Sequence, residues 1–143
     1  MRRKAGIIAV VIVVLIAIGG LIGYRMYNKP HADVNEAEAI TVTAEAIYKE
    51  FETDESTANL KYTGENKVVQ VSGTVGEITQ QDTLTYVTLA VPDAMGGVMI
   101  LTDKSASAAA SNLKPGDQVT LKGFCNGYLM PDVKINGGVI VSQ

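Results

Sequence analysis

The chain has 143 residues, a formal net charge of −3, one cysteine, one histidine and no tryptophan. A single cysteine excludes an intramolecular disulfide, and Cys125 and His31 alone cannot build a His/Cys metal cluster. All 15 acidic residues follow Pro30, where seven lysines and no arginine remain. That part carries 7 − 15 = −8, and the first thirty residues carry +5. An acidic domain repels phosphate, which disfavours nucleic acid as a partner.

Ala5 to Tyr24, AGIIAVVIVVLIAIGGLIGY, contains no charge. A helix of that length spans about 30 Å, the hydrocarbon thickness of a bilayer, and satisfies its own backbone groups. The sequence therefore predicts a single transmembrane helix within residues 1–27. Arg2, Arg3 and Lys4 precede it, against Arg25 and Lys29 after it. By the positive-inside rule the N-terminus is expected in the cytoplasm and the following domain outside it. The run exceeds a typical signal-peptide core of about 7–15 residues and has no A-x-A motif, so an uncleaved signal anchor is favoured over cleavage. Gly19 and Gly23 have the G-x-x-x-G spacing that lets two membrane helices approach closely, although glycine is common in spans anyway. Tyr24 to Tyr27 reads as an interfacial belt.

Residues 28–42 read as a polar linker, with His31 as a solvated linker residue. Residues 43–143 form the predicted folded domain. Thr43 is the expected cap of a first helix with Ile47, Phe51 and Tyr48 on its apolar side. Asp54 is expected to cap a short second helix with Ala58, Leu60 and Tyr62 apolar. Alternation then predicts strands at 67–75, 84–91 and 98–102, with Gly73 marking a bend or bulge and 76–83 a loop. Asp103 to Leu113 reads as a short alanine-rich helix, and Lys114-Pro115-Gly116-Asp117 as a type II turn. Two more strands follow at 118–125 and 133–141, the last broken at Gly137-Gly138, with residues 126–131 as a loop.

Five strands with one helix between the third and fourth match the OB-fold, a small five-stranded Greek-key barrel. The rival arrangement is an open five-stranded sheet under the N-terminal helices. The runs ANLKYTGENKVVQVSGTVGEI and LKPGDQVTLKGFCNGYL resemble the tRNA_anti-like OB-fold family of small bacterial envelope proteins, membrane-anchored or lipoproteins. The specific pieces are Tyr62 to Gly64, Val71 to Val75 and Gly116 to Tyr128. The resemblance implies a fold more firmly than an activity, and its name suggests single-stranded nucleic-acid binding. Relatives often carry a second cysteine where Gly137-Gly138-Val139 stands here, so a family disulfide does not transfer.

In OB-folds the face of the second and third strands, with two flanking loops, is the usual ligand surface. Tyr86, Tyr128 and Met130 are the candidate ligand-binding residues, with Tyr128 better read as closing the barrel than as stacking. Cys125 shares parity with Val119 and Leu121, which predicts a buried, inert thiol. Glu50, Glu52, Asp54 and Glu55 read as a solvated acidic face. No nucleophile–base pair, phosphate loop or dinucleotide motif is present, so no enzyme, cofactor or metal is expected. The reading is a membrane-anchored extracytoplasmic binding module for a protein or envelope component. Nucleic-acid binding and an assembly role in an envelope complex are the alternatives.

Overall fold

The computed structural model describes the backbone of residues 2–27, 34 and 38–143, and the side chains of 11–24, 34 and 38–143. The chain divides into two compact units, Met1–His31 and Ala32–Gln143. The first is a single helix, α1, Arg2–Tyr27. Its described side chains, residues 11–24, are exposed throughout. Among the described residues no helix is long and apolar enough to cross a membrane. The expected span begins at Ala5, outside the described side chains, as do the basic residues that set its orientation. His31 and most of the 28–42 linker likewise lie outside the described residues.

The second unit is built on a six-stranded sheet, one strand more than the sequence reading. The additional strand is β1, Ala39–Thr43, which runs parallel to the start of β2, Val68–Gln81, from Ala39 opposite Val68 to Thr43 opposite Ser72. Residues 39–42 were expected in the linker. Five residues are too few to show an alternation, and pairing with β2 makes them a strand.

Thr43 ends β1 and caps α2, Ala44–Thr53, its hydroxyl accepting from the Ala46 N–H at 3.2 Å. Asp54 then caps α3, Glu55–Tyr62, through the Thr57 N–H at 3.1 Å and the Thr57 hydroxyl at 2.7 Å. Leu60, expected on the apolar side of α3, is 79% exposed. Ala58 and Tyr62 alone carry the burial of that helix.

Residues 76–83, expected as a loop, are mostly strand: β2 continues to Gln81 and forms a hairpin with β3, Leu84–Ala90. Its polar residues are exposed, so alternation cannot reveal it. The irregularity in β2 falls between Val75 and Glu77, three residues beyond Gly73. There β2 exchanges β1 for β3 as its neighbour on one side, while β5, Gln118–Leu129, holds its first half on the other. β4, Gly97–Thr102, pairs antiparallel with β3 and parallel with β6, Asp132–Ser142. Pairing of β5 with both β6 and β2 closes the barrel and excludes the open-sheet alternative.

Both ends of the barrel are covered. α4, Lys104–Ala110, sits over one, held by a buried hydroxyl network. Thr85 and Ser107 hydroxyls are 2.8 Å apart, Ser107 donates to the Thr83 carbonyl, and Thr102 donates to the Thr85 carbonyl at 2.8 Å. α2 covers the other end. The Lys114–Asp117 turn closes as expected, with Asp117 N–H bonding the Lys114 carbonyl and Gly116 at φ +99°. That left-handed conformation is open to glycine at no steric cost. The core cluster lies entirely between residues 44 and 135, so the second unit holds a complete core of its own.

Candidate binding face

β3 reads LTYVTLA, and its alternation buries Thr85, Val87 and Leu89 while leaving Leu84, Tyr86 and Thr88 half-buried on the outside. Register extends this outer face sideways. Tyr86 lies between Thr79 and Leu101, and Thr88 between Glu77 and Met99, with Lys134 beyond Met99. Lys134 is occupied within the face: its ammonium lies 2.9 Å from the Met99 sulfur and 3.3 Å from Asp132 Oδ2. Asp132 Oδ1 also accepts from the Gly97 N–H at 3.0 Å. Lys134 is the one lysine on β2, β3, β4 and β6. The face is thus apolar and hydroxylic, with Glu77 at its β2 edge and its single cation bonded to Asp132.

The structure does not bring Tyr86, Tyr128 and Met130 together. Tyr128 is opposite Val133, which is opposite Val98, which is opposite Leu89. Tyr86 is three residues further along β3, about 10 Å at the usual strand rise. Tyr128 instead packs beneath α2. Its ring meets Tyr48 edge-on at 5.9 Å and stacks on Phe51 at 6.4 Å, and Phe51 meets Tyr62 at 6.0 Å. Residues 126–131 were expected as a loop. β5 runs on to Leu129, with its register slipping at Asn126, and this carries Tyr128 into the cluster. Met130 is 83% exposed in the β5–β6 turn.

Burial and the bond to Tyr128 push the Tyr48 hydroxyl up to about 12. Cys125 is buried on the inner face, and desolvation raises its thiol, as its parity implied. The acidic run has structural work. Glu50 bonds Lys61 at 2.8 Å, which lowers its carboxyl, and Asp54 is held low by the Thr57 hydroxyl and N–H. A Cβ on Gly19 or Gly23 would meet nothing within 4 Å, so the G-x-x-x-G side of α1 is open.

Two open clefts were not legible in the sequence. One, of about 270 Å³, lies between α2 and α3 beside Lys49, Thr53 and Thr57. The other, of about 550 Å³, lies where β2 changes neighbour, with Thr43, Glu45, Ser72, Thr74 and Gln118 among its lining. The first depends on how two successive helices pack, the second on contacts between distant segments. Among the described residues no group of three or more His, Cys, Asp or Glu side chains could hold a metal.

This strand order, closed by β2–β5 pairing with a helix between β4 and β5, defines an OB-fold protein. The profile of the tRNA_anti-like family matches residues 1–137, and the chain belongs to that family. No curated protein sequence matches it. Among solved structures it is similar to a lipoprotein of Klebsiella pneumoniae proposed to bind nucleic acid, with a TM-score of 0.58 at 17% identity. That match covers 71% of this chain and 92% of the other. A looser similarity is to the Stn1–Ten1 complex of S. pombe, with a TM-score of 0.42 at 17% identity over 53% of this chain and 59% of the other.

Proposed function

We propose that the chain is a non-enzymatic binding module, anchored in a membrane by its apolar N-terminal run and facing away from the cytoplasm. Its ligand is a protein or another envelope component. The observation that carries the ligand class is the outer face of β3, β4 and β6. Tyr86, Met99 and Leu101 supply apolar contact area there, and Lys134 is bonded to Asp132. Interfaces between proteins favour such Tyr and Met surfaces and deplete charge at their centres. The anchor rests on the uncharged Ala5–Tyr24 run, and the orientation on Arg2, Arg3 and Lys4 before it. Protease added to cells with opened outer barriers should digest the domain and spare cytosolic controls. A domain protected until the membrane is lysed would place it in the cytoplasm.

A second reading, single-stranded nucleic-acid binding, is favoured by the shared fold with the K. pneumoniae protein. It asks for stacking aromatics along a positive groove. The face supplies one exposed-side aromatic ring, Tyr86, in a domain of net charge −8. Titration of labelled single-stranded DNA and RNA against residues 32–143 across salt concentrations separates the two. Affinity that falls steeply with salt would support the nucleic-acid reading.

An assembly role through the open Gly19/Gly23 side of α1 is compatible with the first reading. Crosslinking in membranes with Gly19→Ile and Gly23→Ile variants tests it, and unchanged crosslinks would reject the helix contact.

A further inference from the structure

The cation of the Tyr86 face is held by a carboxylate that is itself bonded through both oxygens. Asp132 Oδ1 accepts from the Gly97 N–H at 3.0 Å, which ties it to the start of β4. Asp132 Oδ2 lies 3.3 Å from the ammonium of Lys134, two residues further along β6. This is not a loose surface pair, since the Lys134 and Asp132 side chains are 26% and 16% exposed. The Met99 sulfur, 2.9 Å from the same ammonium, completes its seat. A thioether is a neutral, weak acceptor, so Asp132 supplies the charge that balances Lys134.

Lys134 stands where a strand lying on Tyr86 would need a cation. Met99 is opposite both Thr88 and Lys134, so Lys134 is two strands from Thr88, about 10 Å at the usual spacing. Tyr86 is two residues from Thr88 on the same outer side of β3, about 7 Å at the usual rise. The flexible stem of a lysine extends its reach further. A base stacked on Tyr86 and a phosphate of the same strand at Lys134 are therefore compatible in distance. With the ammonium committed to Asp132, such a strand finds no charge to pair with and meets Glu77 at the β2 edge.

We propose that Asp132 sets the ligand class of the Tyr86 face by masking Lys134, the one cation there that could meet a phosphate. Asp132 acts through Lys134 and is a positioning residue, not a ligand contact. The proposal rests on the protein-binding reading above and names the side chain that keeps nucleic acid off the same face. One substitution should therefore convert the face. Asp132→Asn keeps a carbonyl oxygen to accept from the Gly97 N–H but has no charge to hold the ammonium. A half-buried ammonium without a counter-charge is unfavourable, and the long stem lets the head swing out to water beside Tyr86.

The test titrates a labelled oligothymidylate against residues 32–143, the unit that holds its own core, across salt concentrations. The parent should bind weakly and with a shallow salt slope. Asp132→Asn should bind about tenfold tighter at low salt, as one charge-assisted contact implies. Its log–log salt slope should steepen by about 0.7, the value for one phosphate of a single strand. Asp132→Ser, which also removes the charge and keeps an acceptor, should show the same gain. Adding Lys134→Ala to either variant should restore the parent values. Glu55→Gln removes an exposed acid at the start of α3, an equal change in bulk charge, and should leave the parent values unchanged. A cooperative urea transition identifies the variants that have kept the fold. Folded Asp132 variants at parent values, a gain that survives Lys134→Ala, or an equal gain in Glu55→Gln would overturn the masking. A nuclease-resistant adduct from position 86 in the parent beside such a result would leave the protein-binding reading standing. A parent that itself binds the strand with a steep salt slope would remove that reading together with the masking.

Discussion

Tyr48 of α2 and Tyr128 of β5 meet edge to face, with ring centroids 5.9 Å apart and planes at 86°. The Tyr128 hydroxyl also helps hold the proton on that of Tyr48, and Phe51 stacks on Tyr128 at 6.4 Å. The contact fastens α2 to the barrel, so Tyr128 serves the fold. Tyr128→Ala should destabilise residues 32–143 by about 2–4 kcal/mol, below the full range for a wholly buried aromatic because Tyr128 is only half-buried. Tyr128→Phe keeps the ring packing and should cost about 1 kcal/mol, the net worth of one hydrogen bond. Urea unfolding of the variants measures both.

Alkaline pH should loosen the same contact. The Tyr48 hydroxyl is raised from 10.0 to about 12 by burial first and by Tyr128 second. A folded value above the unfolded one means that the native state holds the proton longer. The stability is therefore complete below pH 10 and is lost as pH rises toward 12. Ultraviolet titration of tyrosinate should show Tyr48 ionising late and together with unfolding, as should Tyr62, whose hydroxyl burial also raises. In Tyr48→Phe the share due to Tyr48 should disappear and that of Tyr62 remain.

On the acid side the sign reverses. Lys61 lowers the Glu50 carboxyl, and the Thr57 hydroxyl lowers that of Asp54. Groups with lowered folded values contribute stability above the ordinary carboxylate range, and lose it as pH falls through the lower folded value. Glu50 and Lys61 are both well exposed, so solvent screens their pair and the effect is small. Glu50→Gln with Asp54→Asn should flatten the acid limb of a stability–pH curve while leaving α3 capped. An unchanged limb would assign acid sensitivity to other carboxylates.

Cys125 is 5% exposed, and burial raises its thiol. Thiol reagents should label it slowly in the native domain and quickly in denaturant, since the thiolate is the reacting species. Cys125→Ser puts a stronger hydrogen-bonding group on the same apolar face and should cost about 1–3 kcal/mol if that group finds no partner. Rapid native labelling would contradict the buried, inert reading.

What was legible in the sequence follows from how local each signal is. Thr43 and Asp54 were readable as caps because each bonds a donor three residues on. β3 and the body of β5 were readable from alternation, which also assigned Tyr86 to the outside and Cys125 to the inside. Features that depend on distant partners were not readable. β1 exists through pairing with residues 68–72, and the outer half of the β2–β3 hairpin is too polar to show a buried side. Tyr128 was better read as closing the barrel than as stacking, but the slip at Asn126 and the α2 rings it meets, Tyr48 and Phe51, were not readable. The β3–β4 loop and the β5–β6 turn, far apart in sequence, meet where Gly96 packs on the Pro131 carbonyl.

The most direct measurement of the central claim is photocrosslinking from the ligand face in living cells. A photoreactive amino acid replaces Tyr86 in the full chain, and a second chain carries it at exposed Ser111, beyond the end of α4, as a control. The account expects a discrete protein or envelope adduct from position 86 that is missing from position 111 and resists nuclease. Adducts at position 86 that nuclease removes, together with salt-sensitive binding of single strands, would contradict it and make the barrel a nucleic-acid reader.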